Sequence, residues 1–288
     1  MKKYKKKQSK LSVLIGLISI TLLITAILSI AYPTISYMAN DMTDMNTIKS
    51  YTTITNMLNP NEKKAYLREA QRYNNKIAQL DITDNSIEYD ELGYENILNI
   101  NNGIMGSVTI PSINVTLPIF HGTSEDVLSE GAGHLRSTSF PIGGESTHAV
   151  ISAHTAFPGK VFFDDLSELK QGDIFYIDVL GDTLAYKVIE INIVDPNDLE
   201  KLKIIEGKDY VSLVTCYPYA VNTHRLIVTG ERTYTDTSTA DTAIIKDVGQ
   251  VNNRYQLLYI ILFVLLLTIF IMFVISLIKR HKNKKLLK

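Results

Sequence analysis

Two long runs of apolar residues without any charge frame this chain. The first is LSVLIGLISITLLITAILSIAY, 11–32, and the second is LLYIILFVLLLTIFIMFVISLI, 257–278. Each holds about the 20 apolar residues that a membrane-spanning helix requires. We therefore expect two transmembrane helices with a folded domain between them. Two alternatives stay open: a cleaved signal peptide for the first run, since Ser29–Ala31 fits a cleavage site, and a buried core helix for the second.

Basic tails lie outside both runs and predict the orientation. Residues 1–10 hold six lysines, residues 279–288 hold five lysines and one arginine, and neither tail holds an acidic residue. Such flanks stay on the cytoplasmic side of a membrane, so we expect cytoplasmic termini and an exported domain. The rest of the chain has 17 basic against 30 acidic residues, a formal charge of −13. This acidic exterior argues against a nucleic acid partner, while the tails suit anionic lipid.

Residues 33–102 are predicted to be largely helical. In NPNEKKAYLREAQRYNNKIAQL, Asn59 is a favourable helix N-cap and Pro60 suits the first helical position. The acidic segment 81–102 is predicted to be a loop followed by a short helix. An apolar stripe at spacings of three and four residues should pack on the domain behind it: Tyr66, Ala70, Tyr73, Ile77 and Leu80.

From residue 103 to residue 235 the sequence consists of short strand-like runs separated by turn residues. Gly181-Asp182 separates two alternating runs, which is typical of a hairpin. Several short strands with one or two helical insertions predict a mainly β domain that folds as a closed or nearly closed barrel. Residues 236–256 are then a linker to the second apolar run.

The stretch VSLVTCYPYAVNTHRLIV, 211–228, contains the only cysteine of the chain, Cys216. A single cysteine allows no intrachain disulfide, so the thiol is either an inert core residue or a reactive group. Cys216 ends one strand-like run and Arg225 begins the next. If these strands pair, the two residues meet at one sheet edge, where a guanidinium favours the thiolate or stabilises an oxyanion.

A cysteine nucleophile also needs a proton partner, which is usually a histidine. His154 closes the run HAVISAH and precedes the turn TAFPG, which places it at a rim of the barrel, with His148 at the opposite rim. Spacing favours His154 only modestly, and a core cysteine, a structural histidine and a solvated arginine are the ordinary alternatives. One cysteine and scattered histidines give no metal-binding motif, so we expect neither a metal nor another cofactor.

The same segments resemble the motifs of the sortase family. SLVTC, 212–216, resembles the TLxTC signature, with Ser212 in place of the first threonine. NTHRLIVTG resembles the segment that supplies the family's essential arginine, here Arg225. ISAHTAFPGKVFFDDL resembles the segment around the family's histidine, here His154, with Ala156 and Phe157 replacing the more usual Gly-Leu. The likeness covers about 103–234 and is nearest to class C sortases, the pilin polymerases of Gram-positive bacteria.

This resemblance implies a sortase-like barrel and a cysteine transpeptidase in the cell membrane of a Gram-positive bacterium. Cys216 would attack the threonine carbonyl of an LPxTG-like sorting signal and form a thioester. His154 would transfer protons, Arg225 would hold the substrate and the oxyanion, and Thr215 would add a hydroxyl or backbone contact. The acceptor would be a pilin lysine. The alternatives are a wall-anchoring sortase that uses a peptidoglycan amine and a non-catalytic assembly scaffold that keeps the barrel.

One departure concerns the lid of class C sortases, which commonly carries Asp-Pro-Phe or Asp-Pro-Trp before the barrel. The counterpart here is LDITDNS, 80–86, in which Asp81 matches the acid while Ile82 and Thr83 replace the proline and the aromatic residue. A lid at Asp81 is therefore expected to be degenerate, open or absent.

Overall fold

The computed structural model describes residues 2–80, 82, 89–100 and 103–234, together with 261, 264–265 and 268–269. The chain divides into two units, Met1–Ala240 and Asp241–Lys288, and the described residues of the second unit are helical. The predicted linker, 236–256, the tail, 279–288, and most of the run 257–278 lie outside the described residues. Among the described residues, no helix combines the length and the apolar character needed to cross a membrane. The two spans stay predictions from the sequence.

Two helices precede the barrel: α1, Lys2–Met57, and α2, Pro60–Ile77. The start of α2 is as predicted, because Asn59 Oδ1 accepts hydrogen bonds from the N–H groups of Asn61 and Glu62. Glu62 Oε2 accepts the N–H of Asn59 in return, which completes a capping box. The predicted stripe is buried at Ala70, Tyr73 and Ile77, whereas Leu80 lies beyond the helix and is exposed.

Eight strands form a closed barrel in the order β1-β2-β3-β4-β7-β8-β6-β5, which confirms the predicted β-barrel. The pairs β2–β3 and β4–β7 are parallel and the other pairs are antiparallel. The strands are β1 Ile104–Ile110, β2 Val115–His121, β3 Ala132–His134, β4 Thr147–Ser152, β5 Ile174–Val179, β6 Asp182–Val194, β7 Asp209–Tyr217 and β8 His224–Thr233.

Short helices fill several of the connections. Helix α3, Glu125–Glu130, links the parallel strands β2 and β3, and neither α3 nor the three-residue β3 was located from the sequence. The 3-10 helices are Tyr89–Leu92, Tyr94–Asn96, Pro111–Ile113, Leu166–Glu168 and Glu200–Leu202. The predicted hairpin joins β5 to β6, and its turn residues Leu180 and Gly181 have φ of +53° and +79°. Two consecutive positive φ angles match the twist of a two-residue hairpin.

Side chains of β4, β7 and β8 alternate between two apolar clusters. Leu213 and Val228 belong to the main core, whereas their neighbours Val214 and Ile227 pack in a smaller cluster on the other face of these strands. Leu199 and Leu202, from the segment between β6 and β7, cover the smaller cluster. Because Cys216 follows Val214 by two residues and Arg225 precedes Ile227 by two, both lie on the face of the smaller cluster.

Two buried polar side chains attach the helices to the barrel. On α1, Tyr51 Oη donates to Met105 O at 2.7 Å and accepts the Leu180 N–H at 2.8 Å. On α2, the Asn74 amide contacts both backbone groups of Phe140: Oδ1 accepts the N–H at 2.7 Å and Nδ2 donates to the carbonyl at 3.1 Å. Both side chains are almost completely buried. The helices are therefore fixed to the barrel by directional hydrogen bonds as well as by apolar contact.

The Asn74 contact predicts a stability difference between neighbouring asparagines. Asn74→Ala leaves the Phe140 N–H buried without a partner, so we expect the free energy of unfolding to fall by about 1–3 kcal/mol. Asn75, exposed on the same helix, is the matched control, and Asn75→Ala should change stability by less than about 0.5 kcal/mol. Urea unfolding followed by circular dichroism measures both values, and equal losses for the two variants would contradict the anchoring role.

Candidate active site

Cys216 lies near the end of strand β7, which is paired with β4 on one side and with β8 on the other. On one side it pairs with β8 in an antiparallel register that sets Cys216 directly opposite Arg225. The neighbouring arrangement predicted from the short connection 217–224 is thus confirmed. Cys216 is half-buried rather than enclosed in the core. The thiol therefore lies where a substrate is able to reach it, beside a strand that begins with a guanidinium.

On its other side β7 pairs with β4, in a parallel register that sets Ser152 opposite Val214. The pairing continues one step past the strand, because the Ala153 N–H donates to Val214 O at 3.1 Å. His154 follows Ala153 directly, so it leaves β4 at the same end of the sheet at which Cys216 leaves β7. The structure thus brings the histidine, the cysteine and the arginine to one edge of three adjacent strands.

The His154 imidazole lies among aromatic rings and beside one carboxylate. Its ring stacks on Phe157 with centroids 5.2 Å apart and is tilted against Phe162 at 6.5 Å. Its Nε2 atom is buried and has no hydrogen-bond partner, and Glu125 Oε1 of α3 lies 3.5 Å away. The ring is thus oriented by packing on one side and faces an anion on the other.

A tight turn after His154 holds this ring in place. The carboxylate of Asp164 accepts the N–H groups of Ala156 and Phe162, each at 2.9 Å, and so closes the segment 156–162. The Phe163 N–H donates to the His154 carbonyl at 3.0 Å. Ala156 has a φ of +61°, a left-handed conformation that suits glycine better than alanine. Asp164 lies within the segment ISAHTAFPGKVFFDDL, but its role in the turn was not predicted from the sequence.

Helix α1 and helix α3 both contact the far end of this turn. Asn40 Nδ2 on α1 donates to Gly159 O at 2.5 Å, and Ser36 Oγ donates to the same oxygen at 3.5 Å. Lys160 Nζ lies 3.7 Å from Glu130 Oε2 at the end of α3. A Cβ at Gly159 would lie 2.8 Å from Ser36 Oγ, and φ there is +79°, so both space and conformation require glycine. The turn is therefore supported from outside the barrel.

Arg225 is partly engaged in holding the connection between β7 and β8. Its Nη1 donates to the carbonyl of His224 at 3.0 Å and to that of Asn222 at 3.5 Å. A guanidinium has five N–H donors, so others remain for a substrate. Arg225 is half-buried, so it is not a fully solvated surface arginine.

The Thr215 hydroxyl is bonded within the sheet. Thr215 is buried, and its hydroxyl donates to Ala153 O at 2.8 Å and lies 2.6 Å from Thr155 Oγ1. Strand alternation directs its side chain away from the face that carries Cys216. The hydroxyl therefore joins β7 to the histidine segment and is not directed toward an oxyanion at Cys216. The Thr215 side chain is a structural link between the two strands.

Buried histidines elsewhere in the barrel have structural surroundings. His134 Nε2 faces Ser139 O at 2.8 Å and burial lowers its pKa to about 3. His148 lies between Lys203 O and Ser212 Oγ, and burial lowers its pKa as well. Both rings are neutral near pH 7 and remote in register from Cys216. His224, opposite Tyr217 at the same end of the sheet, has its side chain on the other face from Cys216, which leaves His154 as the candidate proton carrier.

Two further points concern metal binding and the candidate lid. Among the described residues, no group of three or more His, Cys, Asp or Glu side chains has an arrangement that could hold a metal ion. Asp81, the candidate lid residue, lies outside the described residues.

Comparison with known proteins identifies the fold family. Residues 108–233 match the family model of the sortase domain. The crystal structure of sortase C1 from Streptococcus agalactiae is 41% identical, with a TM-score of 0.63, and the match covers 66% of this chain and 100% of that one. The chain belongs to the sortase family.

Other relatives extend the comparison. Sortase C from Clostridium perfringens, in a structure with the C-terminal cell wall sorting motif, is 42% identical with a TM-score of 0.58, over 66% of this chain and 100% of that chain. Sortase A of Streptococcus agalactiae is 33% identical over 54% of this chain and 63% of the relative. Sortase D of Bacillus subtilis is 31% identical over 40% and 55%. The chain thus spans about three fifths of the curated relatives that it matches.

The left-handed Ala156 predicts how this sortase responds to glycine at the histidine turn. Ala156→Gly removes the Cβ that conflicts with φ of +61°, so the free energy of unfolding should stay unchanged or rise by about 0.5–1 kcal/mol. Ala78, exposed with φ of −59°, is the matched control, and Ala78→Gly should lose about 0.5–1 kcal/mol. Chemical denaturation measures both, and a clear loss for Ala156→Gly would contradict the assigned backbone strain.

Proposed function

We propose that this sortase is a cysteine transpeptidase whose site residues are Cys216, His154 and Arg225. The observation that supports the proposal most directly is the strand order β4-β7-β8, with Cys216 opposite Arg225 and the histidine segment on the other side of β7. A nucleophile, a proton carrier and a cation at one accessible edge are the groups that acyl transfer needs.

In the first step the Cys216 thiolate attacks the threonine carbonyl of an LPxTG-like sorting signal. The carbonyl becomes a tetrahedral oxyanion, and the N–H groups of Arg225 stabilise its negative charge. The threonine–glycine C–N bond then breaks while His154 donates a proton to the departing glycine amine. The product is a thioester between the threonine carbonyl and Cys216. A backbone contact from Thr215 to the oxyanion remains part of the proposal, whereas its hydroxyl is already bonded within the sheet.

In the second step an amine attacks the thioester carbonyl. His154, now neutral, accepts the proton of the attacking amine, and the Cys216 thiolate leaves as the new amide forms. A pilin lysine as acceptor gives an isopeptide bond and a polymer of pilins. Water in its place gives slow hydrolysis. No step requires a metal or an organic cofactor.

The class C assignment is supported by the structural neighbours, several of which are sortases C, and by the sorting motif in the Clostridium perfringens structure. We propose accordingly that the substrates are pilins or surface proteins with LPxTG-like signals. The acidic domain would attract their lysine side chains.

Membrane anchoring completes the proposal. The apolar runs 11–32 and 257–278, each flanked by a basic tail, would hold the catalytic domain outside the cell beside substrates anchored in the same membrane. A lid that contains Asp81 would lack the proline and aromatic residue of the family pattern. Such a lid would leave Cys216 more open than an aromatic plug does.

The reaction class is tested by trapping the acyl-enzyme. Incubation of the purified full-length protein with an LPxTG peptide should give a covalent adduct that mass spectrometry maps to Cys216. Hydroxylamine should release the adduct, because it cleaves thioesters readily. Cys216→Ala should abolish the adduct, and Arg225→Ala should slow its formation by about 100-fold or more if the guanidinium supplies the oxyanion contact. A folded wild-type protein that forms no adduct with any sorting-signal peptide would contradict the proposal.

The choice of acceptor separates pilin polymerisation from wall anchoring. With the sorting-signal peptide fixed, a lysine-containing pilin domain should be a better acceptor than a peptidoglycan-stem amine, and peptide mapping should locate an isopeptide bond. Preference for the stem amine would favour the wall-anchoring alternative. Full pilus assembly by cells that carry only Cys216→Ala would favour the non-catalytic scaffold.

A further inference from the structure

Glu125 places a carboxylate beside His154, from a helix that was not predicted from the sequence. Glu125 Oε1 lies 3.5 Å from His154 Nε2, and this nitrogen is buried without a hydrogen-bond partner. Buried polar atoms are normally bonded, so an unpartnered ring nitrogen beside a carboxylate is unusual. Hydrogen bonds of catalytic groups are often long before a substrate binds. A small rotation of the Glu125 side chain is enough to close this gap.

Helix α3 brings Glu125 to this position through fixed contacts at both ends. At its start, Ser124 Oγ accepts the Val127 N–H at 3.4 Å. At its end, Glu130 pairs with Lys160, which belongs to the same turn as His154. Helix α3 therefore contacts the histidine turn at both of its ends, through Glu125 to His154 and through Glu130 to Lys160.

We infer that Glu125 is a positioning residue for His154, an inference that rests on the proposed transpeptidase function. The carboxylate accepts the Nε2–H of His154 and thereby fixes the ring tautomer. Nδ1 is then the nitrogen that exchanges protons with the leaving and attacking amines. The same negative charge favours the imidazolium form, which the first step needs in order to protonate the leaving amine.

The ordinary role of an acidic residue at this position is to stabilise the start of a helix. Glu125 and Asp126 both lie in the first turn of α3, where negative side chains interact favourably with the helix dipole. Only Glu125 approaches His154, so the two residues share the helix effect and differ in the histidine contact. Asp126→Asn is therefore the matched control for Glu125→Gln.

Exposure limits the size of the effect. The Glu125 side chain is 77% exposed and that of His154 is 22% exposed, and exposed ion pairs contribute little to stability. Glu125→Gln should therefore leave the unfolding temperature unchanged. The Nε2 atom of His154, in contrast, has no other hydrogen-bond partner among the described residues, so the placement of the ring proton depends on this carboxylate.

Other charged groups near the histidine turn have to be separated from Glu125. Lys160 and Glu130 form a pair at the far end of the turn, while Arg225 and Cys216 lie across β7. Asp44, buried on α1 near Lys160, has its pKa raised by burial to about 7, so it titrates in the range where the rate is measured. Asp44→Asn is for that reason a second control.

The experiment compares pH–rate profiles for release of the glycine fragment from an LPxTG peptide. It uses the full-length protein and four variants: Glu125→Gln, Glu125→Asp, and the controls Asp126→Asn and Asp44→Asn. Glu125→Gln should lower kcat/KM at the wild-type optimum by about three- to tenfold and move one limb of the profile to lower pH. Glu125→Asp, which keeps the charge on a shorter side chain, should lie between Glu125→Gln and the wild type. Asp126→Asn should match the wild type.

The outcomes distinguish this inference from the function on which it rests. An active wild type, with Glu125→Gln identical to it in rate and in both limbs, would overturn the role of Glu125 and leave the transpeptidase intact. A uniform drop in rate with unshifted limbs would also overturn it, because a structural effect alone explains that result. A wild type that forms no acyl product would instead contradict the proposed function. A profile changed equally by Asp44→Asn and Glu125→Gln would assign the titration to α1 and overturn the inference.

Discussion

The hydrogen-bond register of β7 is the constraint on which the site depends. Because β4 runs parallel to β7, the end of β4 lies at the same edge of the sheet as Cys216. Because β8 runs antiparallel to β7, the start of β8 lies at that edge too. A register shift of one residue in either pair would move a side chain to the opposite face of the sheet. Hydrogen bonds from the Thr215 hydroxyl to Ala153 O and from the Ala153 N–H to Val214 O reinforce this register where the strand pair ends.

The pairing of β7 with β8 could be predicted from the sequence, because the two strands are close together along the chain. The short connection 217–224 implies that β7 and β8 are neighbours, and Cys216 and Arg225 follow from it. The pairing of β4 with β7 joins residues about sixty positions apart, and no pattern within either strand specifies a parallel partner. His154 was therefore favoured chiefly through the resemblance. The bonds of the Thr215 hydroxyl to the histidine segment were not predicted, because they depend on that same long-range pairing.

The turn after His154 shows how an unfavourable local conformation is maintained by its surroundings. Ala156 adopts a left-handed φ, which costs an alanine about 1–2 kcal/mol. The Asp164 carboxylate bonds the turn from inside, and Asn40 of α1 bonds it from outside. The Asp164 contacts are local, whereas the Asn40 contact comes from 119 residues away in the sequence, so the turn depends on the packing of α1 as well as on its own segment. The ring of His154 is thus held by tertiary structure rather than by local preference.

Helix α1 contains the first proposed membrane anchor and also contacts the histidine turn. The helix is continuous from Lys2 to Met57, and it contacts the turn through Ser36 and Asn40. At about 1.5 Å per residue, these contacts lie roughly 6–12 Å along the helix axis from the end of the apolar run at Tyr32. With residues 11–32 in a membrane, the histidine turn would therefore face the bilayer surface closely. If the proposed substrates are anchored in the same bilayer, they would meet the histidine turn close to that surface.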